Sequence, residues 1–167
     1  MIKIESLKNY TKVLNKKDFT KLTKQIYEFT NFISENYPNY KKWYYYKQIP
    51  RIFTSQGEIF FVRQEDQNEI IAVCCLKKDE SEKKICTLYV KEEFRNNHIG
   101  TKLLEKSLEF LDTTKPLITF PDYKLQMFQP FIDKYGWELT EIIPKQRDNK
   151  IKELCFNGKL TNSMAIA

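Results

Sequence analysis

Ile85-Cys86-Thr87-Leu88-Tyr89-Val90-Lys91-Glu92-Glu93-Phe94-Arg95-Asn96-Asn97-His98-Ile99-Gly100-Thr101-Lys102-Leu103-Leu104 is the stretch on which the reading turns. It begins as a buried strand, passes through a basic polar turn and opens a helix at a glycine. A helix start leaves backbone N–H groups without intrahelical acceptors and carries the positive end of the macrodipole, so anions settle there. The stretch has the layout of an anion cradle, and a phosphorylated cofactor is its expected occupant.

Downstream of the cradle, Leu103, Leu104, Leu108 and Leu111 recur at helical spacing until Thr113-Thr114-Lys115-Pro116 breaks the helix. Residues 117–120 read as a short strand and 126–135 as a helix stopped by Gly136. Strand-like runs at 137–143 and 151–156 then flank a polar loop at 145–150. Upstream, Ile59-Phe60-Phe61-Val62 and the run from Ile70 to Leu76 form a hairpin around Glu65-Asp66-Gln67-Asn68. A second polar turn, Asp79-Glu80-Ser81-Glu82, leads into the strand of the cradle. At the front of the chain, Ile2 and Ile4 alternate with polar residues as a first strand, and Asp18 is the expected N-cap of a helix carrying Phe19, Leu22, Ile26, Phe29 and Ile33 on one face. Pro38 closes that helix, and a shorter aromatic one follows from Tyr40, ending before Pro50.

The order strand, two helices, three strands, helix, strand, helix, two strands predicts an α/β (α+β) fold on a mixed, mostly antiparallel sheet flanked by helices. The strand–helix–strand crossover after the cradle supplies a parallel pair. A length of 167 residues fits one domain, expected over 1–158, with a loosely ordered tail at 159–167. The 41% apolar and 14% aromatic content describes a packed protein with an aromatic-rich core.

No run approaches the ~20 apolar residues that cross a bilayer, and the first residues lack a signal-peptide pattern, so no membrane association and a cytoplasmic location are expected. Cys74, Cys75, Cys86 and Cys155 lie in apolar strand-like runs without C-x-x-C spacing, so free buried thiols and no metal are expected. Cys74 and Cys75, adjacent in a strand, should face opposite sides. The net charge of +6 favours a polyanionic ligand or partner. Nucleic acid would satisfy the charge, but no helix-turn-helix, zinc spacing or RNA-binding motif supports it.

Arg95-Asn96-Asn97-His98-Ile99-Gly100 resembles the R/Q-x-x-G-x-G/A motif of the GNAT superfamily of N-acetyltransferases. Leu88-Tyr89-Val90 matches the strand before that loop, and Phe131-Ile132-Asp133-Lys134-Tyr135-Gly136-Trp137 resembles the family's late helix ending in K-x-G-F. The resemblance implies the GNAT acyl-CoA N-acyltransferase fold and acetyl-CoA as acetyl donor. It places the pyrophosphate on the backbone of Asn96, Asn97, His98, Ile99, Gly100 and Thr101, and the pantetheine arm along Leu88, Tyr89 and Val90. Arg95 and Lys102 add positive charge, and the Thr101 hydroxyl can reach phosphate. His98 stands where the family's first glycine usually sits, a place that needs close backbone approach or a glycine-like conformation.

Family members usually move acetyl directly from the thioester to an amine, with a strand backbone N–H polarising the carbonyl. The tyrosine that often protonates the leaving thiolate falls at Ile132 here. Tyr123 is the substitute acid and Asp122 the candidate base, both in the loop after the short strand. Trp43, Tyr44, Tyr45 and Tyr46 lie in the helical region that in this family walls the acceptor site; at most two of them can face the core. The expected activity is acetyl transfer to a primary amine of a small molecule, peptide or protein by a monomer or homodimer. The alternative is a non-catalytic acyl-CoA-binding sensor or regulatory protein of the same fold.

Overall fold

The computed structural model describes residues 2–145 and 148–160. The strands are β1 (Glu5–Ser6), β2 (Gly57–Arg63), β3 (Ile70–Lys78), β4 (Lys83–Val90), β5 (Leu117–Pro121), β6 (Leu139–Lys145) and β7 (Asp148–Phe156). The α-helices are α1 (Leu7–Tyr10), α2 (Lys16–Thr30), α3 (Tyr40–Trp43), α4 (Ile49–Ile52), α5 (Ile99–Leu111) and α6 (Leu125–Tyr135). The strands form a seven-stranded sheet in the order β1-β2-β3-β4-β5-β7-β6. Every neighbouring pair is antiparallel except β4 and β5, which α5 connects in parallel.

Each face of the sheet carries its own core. Leu22, Ile26, Tyr40, Tyr44 and Ile52 pack on Ile59, Phe61, Val73 and Cys75 on one face. Leu103, Leu104, Leu111 and Phe128 pack on Phe60, Cys74, Leu76 and Phe120 on the other. Burying one such side chain is worth about 1.5–3 kcal/mol, so the helical stripes of α2 and α5 fix which face each helix covers. Cys74 and Cys75 do point to opposite faces, and all four thiols are free and buried.

Several local expectations need correction. Ile2 and Ile4 pack beside the α5 core without strand geometry, and pairing begins at Glu5. Ser6 then turns the chain by capping α1, its Oγ accepting from Asn9 N–H at 3.2 Å. The cap of α2 is Asn15, whose Oδ1 accepts from Asp18 N–H at 2.8 Å; Asp18 instead lies in the first turn, where its charge suits the helix dipole.

The aromatic helix does not end before Pro50. Between α3 and α4 lies a π turn, Tyr44–Gln48, where Ile49 N–H reaches back to Tyr44 O, and α4 carries Pro50 in its first turn. The wide turn eases the clash between a proline ring and the carbonyl one turn earlier, so the helical course continues to Ile52. In the expected loop at 145–150, Lys145 and Asp148 pair as the ends of β6 and β7, leaving 146–147 outside the described residues. Most of the expected tail, 161–167, also lies outside them. No helix among the described residues is long and apolar enough to cross a membrane.

Candidate functional site

The site begins where the parallel pair comes apart. β4 and β5 are in register only at Lys84 with Leu117 and Ile85 with Ile118. Cys75 faces Thr87 and Leu76 faces Ile85, so Cys86 is the extra residue of a bulge just beyond the paired segment. Past it the two strands splay, and the gap between them is lined rather than filled.

On the α5 side, a cavity of about 470 Å³ is bounded by Leu88, Tyr89 and Val90 of β4, the loop before α5, and α6. Of the cradle residues expected from sequence, Leu88, Tyr89, Val90, Arg95, Asn96, His98, Ile99, Gly100 and Thr101 line it. Asn97 and Lys102 are exposed and line no part of it. The first helical N–H of α5 with an acceptor is that of Lys102, donating to His98 O at 3.0 Å, so the N–H groups of Ile99, Gly100 and Thr101 face out of the helix start. His98 caps the helix with φ +62°, and Asn96 has φ +67°. The position where the motif usually has glycine thus adopts the left-handed backbone that glycine takes most cheaply. Arg95 uses its Nε on Val90 O at 3.0 Å and holds its guanidinium over the Tyr89 ring, tying the loop to the strand end.

Gly100 provides the test of fit. A Cβ built there meets only Val90 Cγ2, at the ordinary contact distance of 3.7 Å, so packing within the protein does not require glycine. Because Gly100 lines the cavity, that Cβ would enter the space an anion needs to reach the helix-start N–H groups. A pyrophosphate fits this cradle, and Phe94, Met127, Phe128 and Phe131 add an apolar wall that sequence reasoning missed.

Leu88, Tyr89, Lys124 and Phe128 also line a second cavity, of about 150 Å³, which runs through the splay to the α2 side. Tyr123 stands at its rim, 66% exposed. Asp122, half-buried beside it, lines neither cavity. Tyr37, which follows the 3-10 turn Asn31–Glu35, reaches the cavity from the far side and donates to Glu153 Oε1 at 2.9 Å. Burial first, then the Glu153 charge and hydrogen bond, push the Tyr37 hydroxyl well above the ordinary tyrosine range. The Thr119 hydroxyl lines the same space, buried, with no hydrogen-bond partner among the described residues. Tyr37 and Glu153 are far apart in sequence and carry no motif, so no signal in the chain pairs them.

The four aromatics separate. Tyr44 is fully buried and donates to Thr23 O at 2.6 Å, which removes it from any acceptor wall. Tyr45 packs on Tyr27 and Tyr44 and lines none of these cavities. Trp43 and Tyr46 line a third cavity, next to the second at Cys86.

The sequence profile of the Acetyltransferase (GNAT) family matches residues 20–115. The chain belongs to this family. Its members use acetyl-CoA as donor, which accords with a cradle at a helix start. A search among curated proteins finds no match. Among solved structures, the ribosomal-protein-S18-alanine N-acetyltransferase of Escherichia coli superposes with a TM-score of 0.61 at 13% identity, over 93% of this chain and 92% of that one. ElaA of Escherichia coli gives 0.58 at 17% identity, over 93% and 98%. A Bacillus anthracis protein assigned as a streptothricin acetyltransferase, solved with acetyl coenzyme A, gives 0.52 at 13% identity, over 66% and 67%. At these identities the likeness is one of fold.

Proposed function

We propose that this GNAT protein is an N-acetyltransferase that passes acetyl from acetyl-CoA to a primary amine by direct attack. The observation that carries the reading is the adjacency of the two cavities: the helix-start cradle and the cleft lined by Tyr37 and Tyr123 share Leu88, Tyr89, Lys124 and Phe128 at the β4–β5 splay. Donor and acceptor can therefore approach a shared point from opposite faces of the sheet. The acetyltransferases of this fold named above differ in acceptor, a ribosomal protein for one and streptothricin for another, so an amine acceptor is the common expectation.

When bound, acetyl-CoA supplies an activated acetyl group and a thiolate leaving group. The N–H groups of Ile99, Gly100 and Thr101 hold the pyrophosphate, with Arg95 adding charge at the mouth. The β4 backbone from Leu88 to Val90 would align the pantetheine arm, and a backbone N–H of this splayed segment would supply an oriented donor that stabilises developing negative charge on the acetyl oxygen. On the acceptor side, the Tyr37 hydroxyl takes a proton from the incoming ammonium as it passes its own to Glu153, so no tyrosinate accumulates. Tyr123, at the rim, returns a proton to the thiolate. Incubation with acetyl-CoA and a panel of amines and peptides, following free thiol and acetylated product, tests the reading. Thiol release matched by acetylated amine supports it; tight acetyl-CoA binding without product across the panel favours the sensor alternative.

A further inference from the structure

The third cavity, about 440 Å³, lies between the helical run 40–52 and the hairpin end of β3 and β4. Five cations and one carboxylate line it: Lys42, Lys47, Arg51, Lys77, Lys84 and Glu82. Glu82 is committed to Lys77 at 2.6 Å, and Asp79 joins the same lysine at 3.3 Å. The other four cations have no hydrogen bond or ion pair from their side chains to any described residue. Lys84 is only 5% exposed, and Arg51 Nη1 is buried without a partner.

We propose that this pocket is a second oxyanion site, built for the phosphate of a phosphorylated small molecule. Burying a cationic donor without a partner is costly, so the orphaned Arg51 Nη1, with the largely buried Lys84 side chain lining the same pocket, calls for an anion from outside. Four uncompensated cations exceed the charge of one carboxylate, and an Arg fork flanked by ammonium groups suits phosphate oxygens.

Local packing fixes the wall of this pocket. Gly57 lets α4 lie against β2, since a Cβ there would sit 2.5 Å from Arg51 Cβ. Gln48 holds the preceding π turn to the sheet by donating to Glu58 O at 3.1 Å and Leu76 O at 3.0 Å. Trp43 and the exposed Tyr46 supply a flat apolar wall. Cys86 lines both this pocket and the cleft, which makes the two neighbours. Lys84 precedes Leu88 on β4 by roughly 13 Å of strand, so one ligand of moderate length can span both.

The test is calorimetric titration of inorganic pyrophosphate into the full chain carrying Gly100→Val, which obstructs the competing cradle. The expected result is salt-sensitive binding that weakens at least about tenfold when Arg51→Gln and Lys84→Met are added. The exposed pair Lys42→Gln and Lys47→Gln, which leaves the core untouched, should weaken it several-fold. No pyrophosphate binding by the Gly100→Val chain, or affinity unchanged by both sets of substitutions, would overturn the proposal. Its two sources separate with acetyl-CoA present. A phosphorylated amine whose KM, but not kcat, rises in the Lys42/Lys47 variant places the phosphate on the acceptor, whereas pyrophosphate altering kcat for a neutral amine marks a separate effector. That arm rests on the proposed acetyl transfer and the titration does not, so pyrophosphate binding without turnover would keep the pocket and sink the transfer reading.

Discussion

The Tyr37 hydroxyl donates a 2.9 Å hydrogen bond to Glu153 Oε1 and so joins the segment after α2 to β7 beside the β4–β5 splay. In the proposed transfer this pair moves a proton without leaving a charge on the tyrosine.

Tyr37→Phe removes the relay. The kcat with a neutral-pH amine substrate should fall about a hundredfold, with Glu153→Gln falling similarly and the double variant little further, because the two act as one unit. The missing hydrogen bond should cost about 1 kcal/mol of stability, so steady-state kinetics are read beside a melting curve. A kcat within twofold of the parent in both variants would remove the pair from the chemistry.

Gly100→Ala should make the ligand-free protein more stable, by up to about 1 kcal/mol, because the site is helical, has room for a methyl group and loses glycine's unfolded-state freedom. Thermal denaturation without ligand reads this; a lower melting temperature would mean that the protein itself demands glycine.

His98→Gly relieves a left-handed residue at the start of α5, and a stability gain of a few tenths to about 1 kcal/mol is expected. Acetyl-CoA affinity should be retained, since the backbone supplies the donors. A large loss of affinity on titration would show that the imidazole itself holds phosphate.

Burial pushes the Cys74 thiol up to about 12, its bond with Ser107 only partly offsetting this, and burial raises Cys75 and Cys86 as well. Thiolate being the reactive form, iodoacetamide at neutral pH should leave these cysteines unmodified in the native protein and alkylate them in denaturant, as counted by intact mass. Rapid native labelling of Cys86 would mean that the pockets it lines open wider than the structure shows.

Glu5 has a lowered carboxyl pKa: burial raises it, but hydrogen bonds from Arg63 and Tyr10 outweigh burial. A carboxylate depressed by folding stabilises the protein above its unfolded pKa and loses that contribution as pH falls through the folded value. Glu5→Gln should therefore lower the melting temperature at pH 7 and converge with the parent in acid. A constant difference across pH would contradict the linkage.

The cradle, the hairpins, the parallel crossover and both helical stripes were legible because each rests on local periodicity or on a motif. Asn15 was overlooked as the cap because Asp18 also has cap chemistry, and only geometry shows which side chain receives the N–H. The passage through Pro50 depends on a π turn that leaves no sequence mark. The Tyr37–Glu153 pair and the unpartnered Arg51 and Lys84 arise from tertiary placement, where a lysine that reads as surface charge becomes largely buried. The helix-start cradle lies in one continuous segment, 88–101, whereas its α6 wall and the second cavity draw on segments far apart in sequence.

The most direct measurement is a calorimetric titration of acetyl-CoA into the parent chain and into Gly100→Val. Saturable binding to the parent, weakened at least about tenfold in the variant while its fold and melting temperature are preserved, is expected from a pyrophosphate seated on the start of α5. Equal affinity in the two chains, or no binding to the parent, would contradict it.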